Sequence, residues 1–167
     1  MTGRIVQVSV SAGGVPKTAV ARAEVTVHGL EGDGHRDHEH HGGPERAVCI
    51  FAVEAIEALR VEGHPIGPGG LGENLTIAGL DWSAVVPEAI LKIGDELILQ
   101  ITRYTSPCVN ITRSFLHGDY SRVSQKRHPG WSRVYARVLV PGAVSTGDPV
   151  HLLAGTEARQ IVGSLQR

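Results

Sequence analysis

Apolar side chains recur at about every second position in short stretches of this chain, and the stretches end at glycine, proline or small polar residues. A period of two marks a strand with one face turned inward, and closing residues of that kind make turns. The pattern predicts strands over residues 4–10, 22–28, 46–51, 73–77, 95–102, 133–140 and 149–153. One segment has a helical period instead. Over 51–62, Val53, Ile56 and Leu59 recur on successive turns, Glu54, Glu57 and Glu62 point outward, and Gly63 and Pro65 stop the helix. Ile93-Gly94-Asp95 and Thr146-Gly147-Asp148 echo each other as hairpin entries, with Gly-Asp placed before an alternating strand. The expected fold is mainly β, a mixed-strand barrel with one or a few short helices. Beyond Ala154 the alternation fades, so 154–167 is expected as a tail or short helix on a single domain spanning 1–153.

Composition narrows the picture without changing it. A length of 167 residues with 41% hydrophobic content suits one packed domain. The first ten residues have the pattern of a strand and not of a signal peptide, and no apolar run approaches the roughly 20 residues of a membrane helix. A cytoplasmic protein with no membrane partner is the expectation. Cys49 and Cys108 are too few for a disulfide framework and form no CxxC pair, so both are expected as reduced thiols. Charge is more informative. Residues 1–100 hold 7 Lys/Arg against 14 Asp/Glu, whereas 101–140 hold 7 Lys/Arg against Asp119 alone.

That cationic window contains the strongest chemical candidate. Cys108 follows Ser106-Pro107, which ends a strand and puts the thiol on a loop between Arg103 and Arg113. Positive neighbours favour the thiolate, which is both nucleophile and soft metal ligand. Cys49 lies in the apolar run Ala47-Val-Cys-Ile-Phe51 and is expected to be buried and inert. The histidines at 35, 38, 40 and 41 sit among glycines, where no helix or strand fixes ligand geometry, so a solvated loop is expected there and not a zinc site. His41 and Arg46 stand apart, because Gly42-Gly43-Pro44 allows a tight turn that brings both toward one ligand. The glycine-rich stretch 67–72 has neither Walker nor Rossmann spacing, but Glu73 and Asn74 after it suit pairing with arginines or a heterocycle edge. Nucleic acid is not the expected partner, given a pI near 6.7 and 4% aromatic residues.

Taken in order, His41-Gly-Gly-Pro-Glu-Arg46-Ala-Val, Gly72-Glu73-Asn74-Leu75-Thr76, Ile93-Gly94-Asp95, Ser106-Pro107-Cys108, Gly130-Trp-Ser-Arg133 and Gly147-Asp148 resemble the MOSC family, in its small stand-alone bacterial form. The resemblance runs from about Val6 to Leu152 and implies a β-barrel-like domain whose characteristic cysteine is Cys108. It implies the molybdenum cofactor, a molybdopterin with its metal on the Cys108 thiolate, and not pyridoxal phosphate. Arg46, Arg103 and Arg133 would hold phosphate and pterin, with His41, Glu73, Asn74 and Asn110 completing the contacts. The implied activity is two-electron reduction of N-hydroxylated bases, a small-molecule substrate. The alternative is a sulfur carrier that holds a persulfide on Cys108 without turnover of its own. The sequence shows neither the N-terminal β-barrel extension nor the Fe–S ferredoxin segment of the larger reductases, so a separate reductase, or a sulfur donor protein, is the implied partner.

Overall fold

The computed structural model describes residues 1–34 and 43–167. Seven strands close into a barrel: β1 (Thr2–Val10), β5 (Val48–Ala52), β6 (Leu75–Ala78), β7 (Ile90–Ile93), β8 (Leu97–Tyr104), β9 (Val134–Val140) and β11 (Pro149–Leu152). Their order is β11-β7-β8-β9-β5-β6-β1, and β1 returns to β11 with Thr2 opposite His151. All of these pairings are antiparallel except β5 with β6. Strand β2 (Thr18–Val20) extends the sheet beside β1, while β3 (Arg22–Thr26), β4 (Gly29–Leu30) and β10 (Gly142–Ser145) form a second small sheet. This is the mainly β, mixed-strand barrel that the sequence predicts.

Alternation explains the closure. In β8, Leu97, Leu99 and Ile101 are fully buried, and in β9 Val134, Ala136 and Val138 join them, with Ile5, Val8, Val48, Ile50, Leu75 and Ile77 filling the rest of the barrel. Strands β5 and β6 are buried at every position because their outer face is covered as well. A parallel pair needs a crossover connection, and here helix α1 (Val53–Val61) begins it. With three 3-10 turns between Val109 and Val123, α1 builds a second core outside the barrel from Phe51, Ile56, Leu59, Ile66, Leu71, Ile111, Phe115 and Val123. Gly63, at a φ of 103°, ends α1 in the left-handed conformation that the sequence anticipates.

Differences from the predicted elements are local. Arg46 belongs to a 3-10 turn, Pro44–Arg46, and not to strand β5. Strand β7 is not among the predicted elements, because the short run Ile90-Leu91-Lys92-Ile93 does not alternate apolar and polar residues. It pairs with β8 across a turn in which Gly94 takes a φ of 62°. In the echoing turn, the Asp148 carboxylate accepts the Ser145 amide at 2.8 Å. After β11, residues Gly155–Leu165 form helix α2, none of whose side chains is buried. No helix among the described residues is long and apolar enough to cross a membrane.

Candidate functional site

A cavity of about 500 Å³ lies between the outward face of β5 and β9, the loop 14–17, the glycine-rich loop and the segment 105–114. The strand period decides which side chains reach it. Val48 and Ile50 point into the barrel, so Cys49 and Phe51 point out, and Cys49 meets the cavity. Tyr135, opposite Cys49 in the β5–β9 register, reaches it too. Arg133, just before β9, is 6% exposed and donates from Nη1 to the Leu71 carbonyl at 2.6 Å. Cys108 is the extended residue capping the 3-10 turn Val109–Ser114, and it is half-buried, with Asn110 beyond it at the rim.

The wall carries four cationic side chains, Lys17, Arg46, Arg113 and Arg133, and no carboxylate among the described residues. The guanidinium of Arg46 lies 5.9 Å from the centre of the Tyr135 ring. Lys17 is almost buried and pairs with Asp33 at 2.6 Å. Asn74 fixes this corner: its Nδ2 donates to Asp33 at 2.8 Å and to the Ser9 carbonyl at 3.2 Å, while its Oδ1 accepts the Cys49 amide at 3.0 Å. One side chain thus joins β1, β5 and the Lys17–Asp33 pair.

Glu73 lies behind the wall, wholly buried, and neither carboxylate oxygen has a hydrogen-bond partner of good geometry among the described residues. Burial pushes its carboxyl up to about 7, opposed by the Arg133 guanidinium and by nearby backbone amides of Glu73, Gly69 and Leu71. Burial also raises the Cys49 thiol, against Arg133, and lifts the Tyr135 phenol to about 12. The glycine-rich loop serves packing. A Cβ on Gly69 would strike the Lys17 carbonyl and one on Gly72 would strike Val15, while the Lys17 amide donates to the Gly69 carbonyl at 2.9 Å.

Of the residues singled out in the sequence, Arg46, Asn74, Cys108, Asn110 and Arg133 line this one cavity. Glu73 stands behind it. Arg103 does not join them: near the end of β8 its side chain is exposed and off the cavity wall. His41, with the rest of 35–41, lies outside the described residues. Sequence reasoning missed Lys17, which no motif marks, and Arg113, which it used only as a neighbour of Cys108. It also missed the side to which Cys49 points, although the positions of Val48 and Ile50 carried that signal.

The MOSC domain model matches residues 37–151, most of the chain and every strand from β5 to β11. The chain belongs to the MOSC domain family. This MOSC protein is 34% identical over 129 residues to the uncharacterized protein YflK of Bacillus subtilis, covering 77% of this chain and 57% of that protein. It is 29% identical over 144 residues to a reductase of Gibberella moniliformis, covering 83% of this chain and 25% of that protein. The chain therefore spans little more than half the length of the first relative and a quarter of the second. Among solved structures, YiiM from Geobacillus stearothermophilus shares the fold, with a TM-score of 0.70 at 24% identity over 91% of this chain and 75% of that one.

Proposed function

We propose that this MOSC protein binds the molybdenum cofactor in the cavity beside Cys108 and reduces N-hydroxylated bases with electrons from a separate protein. The observation that carries this reading is the donor set: a half-buried thiol on a wall to which the described residues contribute four cations, Lys17 among them paired with Asp33, and no carboxylate. Such a wall suits a dianionic phosphate, and guanidinium groups bind phosphate through paired charge-assisted hydrogen bonds. A volume of about 500 Å³ lies within the usual range for small-ligand sites, roughly 300–1,000 Å³. The cofactor, when bound, would supply a pterin-held metal competent for two-electron transfer.

The chain's own residues do the rest. Cys108 would give a soft thiolate ligand. Arg133 and Lys17, both buried, would hold the phosphate from the inner wall, with the half-buried Arg46 and the exposed Arg113 completing the cationic lining. Asn110 offers an amide to the heterocycle, and Asn74 keeps the inner wall rigid through its three hydrogen bonds. The redox part of the reading draws on the relative named a reductase. A second reading, sulfur carriage on Cys108, draws on the same half-buried thiol, since a persulfide needs a partner's access.

The test is to express the chain in a cofactor-competent host, denature it, oxidise the released pterin and measure its fluorescence. A roughly stoichiometric pterin signal is expected, with a large loss in Arg133→Met. Absence of pterin from the wild-type chain would overturn the reading. Cyanide-labile sulfur on Cys108 in its place would establish the carrier.

A further inference from the structure

Both cysteines of the chain line one cavity, and the proposed function uses only Cys108. Cys49 is fixed there by β5, whose alternation turns it away from the barrel core. Two buried donors face it, neither with a hydrogen bond of good geometry among the described residues. The Thr105 hydroxyl, 3% exposed, lies beside the Cys49 thiol, and the Nε of Arg133 belongs to the cation that most opposes the thiol's raised pKa. Buried donors without partners are costly, and an electron-rich sulfur is what this corner offers them. Tyr135 stands within electrostatic reach of both sulfurs. Cys108 is the accessible thiol and Cys49 the sheltered one, which sets the order in which an oxidant meets them.

We infer that Cys49 is the resolving thiol for Cys108, and that the two close an internal disulfide when Cys108 is oxidised by a hydroperoxide. The Cys108 sulfur attacks one peroxide oxygen, so that an S–O bond forms as the O–O bond breaks and water or an alcohol leaves. The Cys49 sulfur then attacks the Cys108 sulfur. An S–S bond forms as the S–O bond breaks, and the departing hydroxide leaves as water with the Cys49 proton. Two thiols are oxidised and one hydroperoxide is reduced. Disulfide geometry requires Cα atoms about 4.4–6.8 Å apart, so the 106–108 link closes toward β5 in this step. Among the described residues neither the Ser106 nor the Cys108 amide donates a backbone hydrogen bond, while the Cys108 carbonyl accepts the Ile111 amide at 3.2 Å, a bond that this movement carries along or breaks. The disulfide withdraws Cys108 from metal ligation and from sulfur carriage alike, and it spares Cys108 from irreversible oxidation.

The reduced protein is exposed to hydrogen peroxide with dimedone present, and its peptides are mapped by mass spectrometry without reductant. In the wild-type chain both thiols should disappear together, giving one linked pair of peptides containing Cys49 and Cys108, with both thiols restored by dithiothreitol. In Cys49→Ala, Cys108 should accumulate as the dimedone adduct of its sulfenic acid and no linked pair should form. In Cys108→Ser, Cys49 should stay a free thiol through the same exposure. The inference is overturned if wild-type Cys108 collects dimedone as fully as in Cys49→Ala, or if linked peptides join only different chains. Should Cys49→Ala fail to fold, Cys49→Ser replaces it, and the wild-type map alone still decides whether the internal disulfide forms.

Discussion

Glu73 buries a carboxyl that ordinarily titrates at 4.5, and burial carries it to about 7 against the pull of Arg133. Between those values the native chain keeps a proton that the unfolded chain has released. Stability from this group is therefore complete below about 4.5, falls as pH rises toward 7, and levels off above, a loss of roughly 3 kcal/mol. Glu73→Gln removes the titration, so the variant should gain on the wild type as pH rises. Urea unfolding of both proteins at about pH 5 and about pH 8 measures this, and parallel pH trends would contradict it. At the same scale, the two cysteines show what sequence can convey. Cys108 was legible because Pro107 and the neighbouring arginines single it out. Cys49 was read correctly as buried, but its place on the cavity wall was not legible, since a covered outer face looks as apolar in sequence as a barrel interior.

The elements around the cavity are tied by polar links that have no sequence period. Lys17, Asp33 and Asn74 come from three separate segments, and their hydrogen bonds hold loop 14–17 against β1 and β5. Lys17→Met would leave the Asp33 charge buried with only the Asn74 and Ser11 donors. Removing one partner of a buried pair costs on the order of 3–5 kcal/mol, so a large drop in the denaturation midpoint is expected, and a change under about 1 kcal/mol would refute this role. Helix α2 makes the opposite case, because none of its side chains is buried. Deleting 155–167 should shift the thermal midpoint by only a few degrees, the scale of about 1 kcal/mol in a domain of this size. Strands long enough to alternate, such as β1, β8 and β9, were legible, as were the four-residue β6 and β11, whose apolar and polar residues alternate, whereas β2 and β4 are too short to show a period and the ILKI and GAVS runs of β7 and β10 do not show one.

Across the whole molecule a net charge of -1 conceals a cavity wall that is cationic. Arg113 and Arg133 come from the basic window that the sequence displays, but Lys17 and Arg46 come from the acidic first hundred residues, brought in by barrel closure. Other members of the window serve packing and pairing: Arg122 binds Glu62 at 2.7 Å and lies over Trp131, and Arg137 binds Glu45 at 2.8 Å. Counting charges along the chain located the region, and only the closed barrel selected which cations share a wall with Cys108. The most direct test is the metal content of protein purified from a molybdenum-replete, cofactor-competent host, compared with Cys108→Ser. Close to one molybdenum per chain is expected in the wild type, with its loss in the variant. Wild-type protein without molybdenum, or a variant that keeps it, would contradict the assignment of Cys108 as the ligand.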